Sequence, residues 1–171
     1  MSIEALSIGD TNKIKYLITD CDGVLTDGNY YSNENGKQFI TFSAKDSVVP
    51  NLARRTDLKV IVISSTSIPH MVEKRARDWN IEFHHAKPYH KLDKVRELVD
   101  DLSTVAYIGD SVDDIQVFDE VGLAFAPADA VEQTKKHADY VLERRGGEGC
   151  LLEVFLGLRF RDEDWTKFRP D

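Results

Sequence analysis

The sequence predicts a doubly wound α/β fold, with a mainly parallel sheet covered by helices on both faces. Two observations carry that expectation. Short continuous runs of apolar and β-branched residues read as strands buried on both sides, and helical patterns separate them. The 171 residues suffice for one well-buried core and are too few for two ordinary domains, so a single domain over 1–171 is expected. Ligands of such a fold belong at the carboxyl ends of its strands.

In chain order, the first strand is expected at 14–19. The stretch DGNYYSNENGKQFITF, residues 27–42, then breaks the alternation. Its Asn35-Gly36 pair suits a type I′ turn, and its aromatic and β-branched flanks suit antiparallel strands. A β-hairpin insert is therefore expected at about 28–42. A helix follows at 47–55, a strand at 59–63 and a helix at 69–79, where Pro69 suits the first turn and Ser67 a cap. Next come a helix at 91–101, a strand at 104–108 and a helix at 113–121. Short strands at 123–126 and 140–142 flank a helix at 130–137, and a last helix spans 149–158. Residues from about 159 to 171, RFRDEDWTKFRPD, read as a charged tail.

Composition narrows the function. Twenty-two basic against 30 acidic side chains give a net charge of −8, which argues against a nucleic-acid or anionic-membrane surface. A small anionic substrate remains compatible, since a bound cation reverses the sign locally. Only Cys21 and Cys150 occur, so no disulfide framework is expected. No secretory pattern opens the sequence, and no run approaches the roughly 18 apolar residues of a membrane span. A cytoplasmic protein is expected.

The segment Asp20-Cys21-Asp22-Gly23, directly after the first strand, carries the sharpest chemical signal. Two carboxylates one residue apart at a strand end offer a nucleophile and a second carboxyl group, and Gly23 allows the backbone to approach a phosphate. A polar turn with two solvated aspartates would read the same in isolation. Gly109-Asp110-Ser111-Val112-Asp113-Asp114, after the strand at 104–108, brings a second acidic strand end. Clustered carboxylate oxygens there suit a hard cation such as Mg²⁺. A helix start decorated with aspartates explains one of Asp113 and Asp114 equally well, and leaves open which is functional. Ser64 ends another strand and offers a hydroxyl to a phosphoryl oxygen. Because Ser65, Thr66 and Ser67 follow it, the choice of hydroxyl also stays open. Lys91, at a helix start, offers a countercharge.

These four motifs, in this order, resemble those of the haloacid dehalogenase-like phosphatases. More narrowly, DCDGVLTDG, FSAKDS, AYIGDSVDD, VGLAFAPADA and ERRGGEGCLLEV resemble the branch of 3-deoxy-D-manno-octulosonate 8-phosphate and nonulosonate 9-phosphate phosphatases. The similarity covers roughly 14–158. It implies a Rossmann-like fold without a separate cap domain, and a homotetramer in which one subunit's hairpin helps close its neighbour's site. It also implies that Asp20 is the nucleophile and Asp22 the general acid, with Ser64 and Lys91 completing the catalytic set. Mg²⁺ would be held by the Asp20 and Asp110 carboxylates and the Asp22 carbonyl, with Asp114 orienting Lys91 or a metal-bound water.

The chain also departs from the family pattern. Ser64-Ser65-Thr66 stands for Thr-Gly-Arg, Ser111 for a second aspartate, and Leu152 for a late arginine. Two cationic substrate contacts are thus lost. Lys45 and Arg75 sit where the family places basic residues and, with Ser65, are the candidates for binding substrate; ordinary surface charges are the alternative for both. The expected activity is Mg²⁺-dependent hydrolysis of a phosphorylated sugar acid through an aspartyl phosphate. An octulosonate 8-phosphate is the first expectation and a nonulosonate 9-phosphate the second. A catalytically idle oligomerisation module is the reading from another class, against which the intact acidic set weighs. His84, His85 and His90 match no zinc spacing and read as a solvated loop. Cys21 reads as a small core residue. Tyr30, Tyr31, Phe39 and Phe42 read as a hairpin face or subunit contact.

Overall fold

The first strand, β1 (Tyr16–Thr19), precedes an antiparallel hairpin of β2 (Tyr31–Asn33) and β3 (Gly36–Phe39) in a computed structural model that describes residues 11–160. Helix α1 (Val49–Ala53) leads to β4 (Lys59–Ser64), α2 (Pro69–Trp79), β5 (Glu82–His85) and α3 (Lys91–Leu98). The second half runs β6 (Val105–Ile108), α4 (Ile115–Phe118), β7 (Leu123–Ala126), α5 (Glu132–His137), β8 (Tyr140–Val141) and α6 (Cys150–Arg159). All strands outside the hairpin join one parallel sheet in the order β5-β4-β1-β6-β7-β8. The chain steps outward from β1 through β4 and β5, then returns to the other side of β1 for β6. That reversal opens a crevice at the carboxyl ends of β1 and β6.

Alternation along the strands divides the core in two. Leu17, Val60, Val62, Ala106, Ile108 and Phe125 face one side, where they pack with α1, α6 and Trp79 of α2. Ile18, Ile61, Ile63, Val105, Tyr107 and Ala124 face the other, against Val95 of α3 and Val117 and Phe118 of α4. Because both faces are covered, the central strands carry continuous apolar runs.

Several elements differ from the expectation. Strand β5, EFHH, pairs with Ile61–Ser64 but lies at the sheet edge, half exposed, so polar residues are tolerated there. His84 and His85 therefore belong to a strand, not a loop. The hairpin turns one residue earlier than its Asn-Gly pair suggests. Asn33 faces Gly36 across the ladder, leaving Glu34 and Asn35 as the central residues, and Asn33 Oδ1 accepts from the Asn35 amide at 2.9 Å. Helix α2 has Pro69 in its first turn, but Ile68, not Ser67, occupies the cap position and no side chain caps the helix; Thr66 Oγ1 accepts from the Ile68 amide just before it, at 3.4 Å. Helix α4 is only four residues long and follows a tight turn over Val112–Asp114. At the far end, Arg159 belongs to α6, donates to the carbonyl of Thr11 and pairs with Asp57 at 3.1 Å. The rest of the expected tail, 161–171, lies outside the described residues.

Candidate active site

The site grows out of strand ends. The Asp20 amide donates to the Ile108 carbonyl at 2.9 Å, so the β1–β6 ladder extends to the first residue of the acidic motif. Beyond it the chain turns back: the amides of Leu25 and Thr26 donate to the Cys21 carbonyl, at 2.9 and 3.1 Å. Gly23 has φ +80°, and a Cβ there would lie 2.1 Å from an Asp110 oxygen. Only glycine lets the two acidic loops approach so closely. Cys21 points into the core, as expected.

Lys91 is almost completely buried at the start of α3, and its ammonium joins both loops. Its Nζ lies 2.7 Å from Asp20 Oδ2, 2.7 Å from Asp114 Oδ1 and 3.4 Å from Asp113 Oδ2. Asp114 is satisfied on both oxygens. Its Oδ1 also accepts from the Tyr107 hydroxyl at 2.9 Å, and its Oδ2 accepts from the amides of Asp110 and Ser111, each at 3.1 Å. Asp110 differs from these neighbours in making no ion pair to Lys91.

The electrostatics follow. Burial would lower the proton affinity of Lys91, but Asp20, Asp114 and Asp113 outweigh it and push its pKa up, so the ammonium stays charged. Burial pushes the Asp20 carboxyl well up, and Asp114 and Asp110 add to it, while Lys91 opposes them. For the coupled pair, three carboxylates around one ammonium fix Lys91 as the cation. The upward push on Asp20 is a cost that a second cation would offset. Asp110 is pushed up to about 7 by burial and then by the Asp114 charge. Asp113 goes the other way: burial would raise it, but Lys91 and the Ser111 hydroxyl hold it below the usual carboxylate range.

Oxygens of Asp20, Asp110 and Asp114 lie within 4.8 Å of one another. A hard, oxygen-seeking divalent cation fits that donor set. Asp20 and Asp114 already take protein donors on both oxygens, whereas Asp110 makes no ion pair to Lys91.

A cavity of about 310 Å³ opens over these groups, lined also by Asp22, Ser64, Ser65, Thr66 and Asp113. Ser64 Oγ accepts from the Thr66 amide at 3.2 Å, and Ser65 Oγ donates to Asp113 Oδ2 at 3.4 Å. Lys91 is the one cation among the described residues of its wall. Six expected residues, Asp20, Asp22, Ser64, Ser65, Lys91 and Asp110, thus meet in one cavity. Asp114 sits directly behind it. Lys45 and Arg75 do not line it. Lys45 is exposed and lies beside the Gly149 backbone, whereas Arg75 lies over the rings of Phe42 and Trp79, 5.0 and 5.6 Å from their centroids. A larger cleft, about 630 Å³, lies at the other end of β4 and is lined by Arg54, Leu58, Lys59 and Asn80, but it holds none of the motif residues. Tyr107 is the participant that the sequence did not reveal, because a tyrosine inside an apolar strand reads as core.

A model of the haloacid dehalogenase-like hydrolases matches residues 79–151. Over 156 residues the chain is 33% identical to 3-deoxy-D-manno-octulosonate 8-phosphate phosphatase of Escherichia coli K12, spanning 89% of this chain and 82% of that protein. The chain belongs to the haloacid dehalogenase-like phosphatases. Among solved structures, the octulosonate phosphatase of Moraxella catarrhalis, in complex with magnesium, phosphate and KDO, superposes with a TM-score of 0.85 at 26% identity, covering 94% of both chains. That of Yersinia pestis gives 0.83 at 30%, covering 90% of this chain and 85% of that one. The phosphatase has a six-stranded parallel sheet, with the antiparallel hairpin outside it. No helix among the described residues is long and apolar enough to cross a membrane.

Proposed function

We propose that this phosphatase hydrolyses the phosphomonoester of a sugar acid, 3-deoxy-D-manno-octulosonate 8-phosphate first, with Mg²⁺ as cofactor. The observation that carries the reading is the convergence of Asp20, Asp110 and Lys91 at the carboxyl ends of β1 and β6, under a cavity walled by hydroxyls. The relatives' substrate supports the choice of sugar acid.

In this reading an Asp20 oxygen attacks phosphorus and the ester P–O bond breaks. Asp22 gives its proton to the departing sugar oxygen. Among the described residues the Asp22 side chain has no ion pair, which leaves it free to serve both halves of the reaction. In the second half Asp22 takes a proton from water, whose oxygen attacks phosphorus. The bond to Asp20 then breaks, which releases inorganic phosphate and restores both residues. Ser64 and Lys91 orient the phosphoryl oxygens. Bound between Asp20, Asp110 and the Asp22 carbonyl, Mg²⁺ would offset the repulsion between nucleophile and phosphate.

The hairpin extends the reading to assembly. Tyr30, Tyr31 and Phe39 are exposed, and an isolated two-stranded hairpin is marginal in water. A homotetramer that buries it against a neighbour's cavity accounts for both facts, and makes a separate cap unnecessary. Lys45 and Arg75 then meet the substrate carboxylate only where subunits adjoin. The test is a screen of purified protein with Mg²⁺ against an octulosonate 8-phosphate, a nonulosonate 9-phosphate and neutral sugar phosphates. The octulosonate ester should turn over fastest, and chelation should stop it. Turnover of none of them, or equal turnover in excess chelator, would overturn the assignment.

A further inference from the structure

Tyr107 is the third residue of β6 and has no solvent-exposed surface. Its ring fills the core beneath α3 and α4 and meets Phe118 edge-on, with centroids 6.1 Å apart. Phenylalanine would fill that space equally well and would bring no polar atom to bury. A hydroxyl here is costly unless bonded. It has one partner, Asp114 Oδ1, at 2.9 Å, the same oxygen that takes Lys91 Nζ at 2.7 Å.

We infer that Tyr107 is a positioning residue, whose hydroxyl fixes Asp114 and through it sets the place of the Lys91 ammonium beside Asp20. The catalytic part of this inference rests on the phosphatase reading above. Lys91 lies between competing carboxylates: Asp20 and Asp114 at equal distance, Asp113 slightly farther. Its position is therefore a balance, and the side that holds Asp114 decides it. Backbone amides pin Oδ2, but Oδ1 has only Tyr107 and Lys91. Without the hydroxyl, Oδ1 keeps Lys91 as its single donor, and the carboxylate loses the restraint on that side, which the donors to Oδ2 do not replace. The ammonium then settles toward Asp20 and Asp113, where it covers the oxygen that must attack phosphorus. Ser64 and the rest of the cavity wall stay in place, so ground-state binding should change less than turnover.

The experiment is Tyr107→Phe, alone and combined with Asp114→Asn. The single variant should lower kcat by about tenfold, in line with loss of one hydrogen bond to a charged group, and leave KM within about twofold. In the Asp114→Asn background, Tyr107→Phe should change kcat by less than about twofold, because the path through Asp114 is already broken. A purely structural role would instead lower the melting temperature and leave kcat alone. Additive losses in the double variant, or an unchanged kcat in the single one, overturn the inference. A second readout needs no turnover. In ¹⁵N-lysine-labelled protein, the shielded Lys91 ammonium should shift on Tyr107→Phe while the surface lysines do not. If wild type hydrolyses nothing, the phosphatase reading fails and this shift alone decides the placement; an unmoved Lys91 resonance refutes it.

Discussion

The strand-end cluster and the hairpin sit close in sequence and solve opposite problems. Around Asp20, every charge but two is answered within the chain: Lys91 by three carboxylates, and Asp114 by a phenol, an ammonium and two amides. The hairpin has its Tyr31 and Phe39 rings stacked at 4.6 Å, yet about half or more of each residue's surface faces solvent. One region is held by contacts within its own fold; the other leaves its aromatic face exposed. This contrast separates chemistry from selectivity. In the proposed reading, phosphoryl transfer draws on the fixed charges of the buried cluster, whereas recognition of the leaving group falls to the exposed hairpin of a neighbouring subunit.

The largest effect should come from Asp20→Asn. The amide keeps the shape and the contact to the Cys21 amide, but forms no acyl phosphate. Turnover of any phosphomonoester should fall by roughly 10³-fold or more, while the melting temperature stays within a few degrees. A variant that kept several per cent of its activity would show that the cluster is not the chemical half of the molecule.

A smaller and more selective effect is expected from the hairpin. Replacing Tyr31 and Phe39 together by serine removes the stacked pair without touching the cavity. Light scattering should then report a smaller species. Activity on the sugar-acid phosphate should fall on the order of tenfold, and activity on a small aryl phosphate should change by less than about twofold. If the double variant stays assembled and equally selective, the division of labour between the two regions collapses.

The same contrast explains what could be read in advance. Central strands, flanked by β neighbours on both sides, must be apolar throughout, so β4, β6 and β7 were legible to within one residue and β1 to within two. Strand β5 has one neighbour only, and EFHH carries no such constraint. The motif residues stood out because paired acids at strand ends are unusual, and the fold brings Asp20, Asp110, Ser64 and Lys91 together. Tyr107 did not stand out, because its significance depends on Asp114 turning back toward β6. That turn, Val112–Asp114, is held by Ser111 and by the two amides, and local periodicity does not encode it. Lys45 and Arg75, expected by position as binding residues, do not line the cavity: Lys45 lies beside Gly149 and Arg75 over the rings of Phe42 and Trp79.

The smallest effect lies at the join between the two regions. Asp46, just past the hairpin, is fully buried; its Oδ1 accepts from the Leu152 amide of α6 at 2.9 Å, and its Oδ2 has no partner among the described residues. Burial pushes its carboxyl up to about 6, against the opposing pull of the Leu152 amide and Arg144. The unfolded chain binds this proton only below about 3.9. Between those values the folded state holds the extra proton, so this contribution to stability is full below about 4 and is lost as pH rises through about 6. Two pKa units correspond to about 3 kcal/mol at most. Other buried acids, Asp110 among them, bend the curve in the same direction, so only a difference isolates Asp46. Asp46→Asn keeps an acceptor for the Leu152 amide and carries no charge at any pH. Urea midpoints at pH 4, 5, 6 and 7 should fall more steeply for wild type than for the variant, and the gap should open between pH 4 and 6. Activity at pH 7 should stay within about twofold, since Asp46 braces the join and touches no cavity group. Parallel curves would mean that the join carries no buried charge, and that the hairpin's anchorage does not respond to pH.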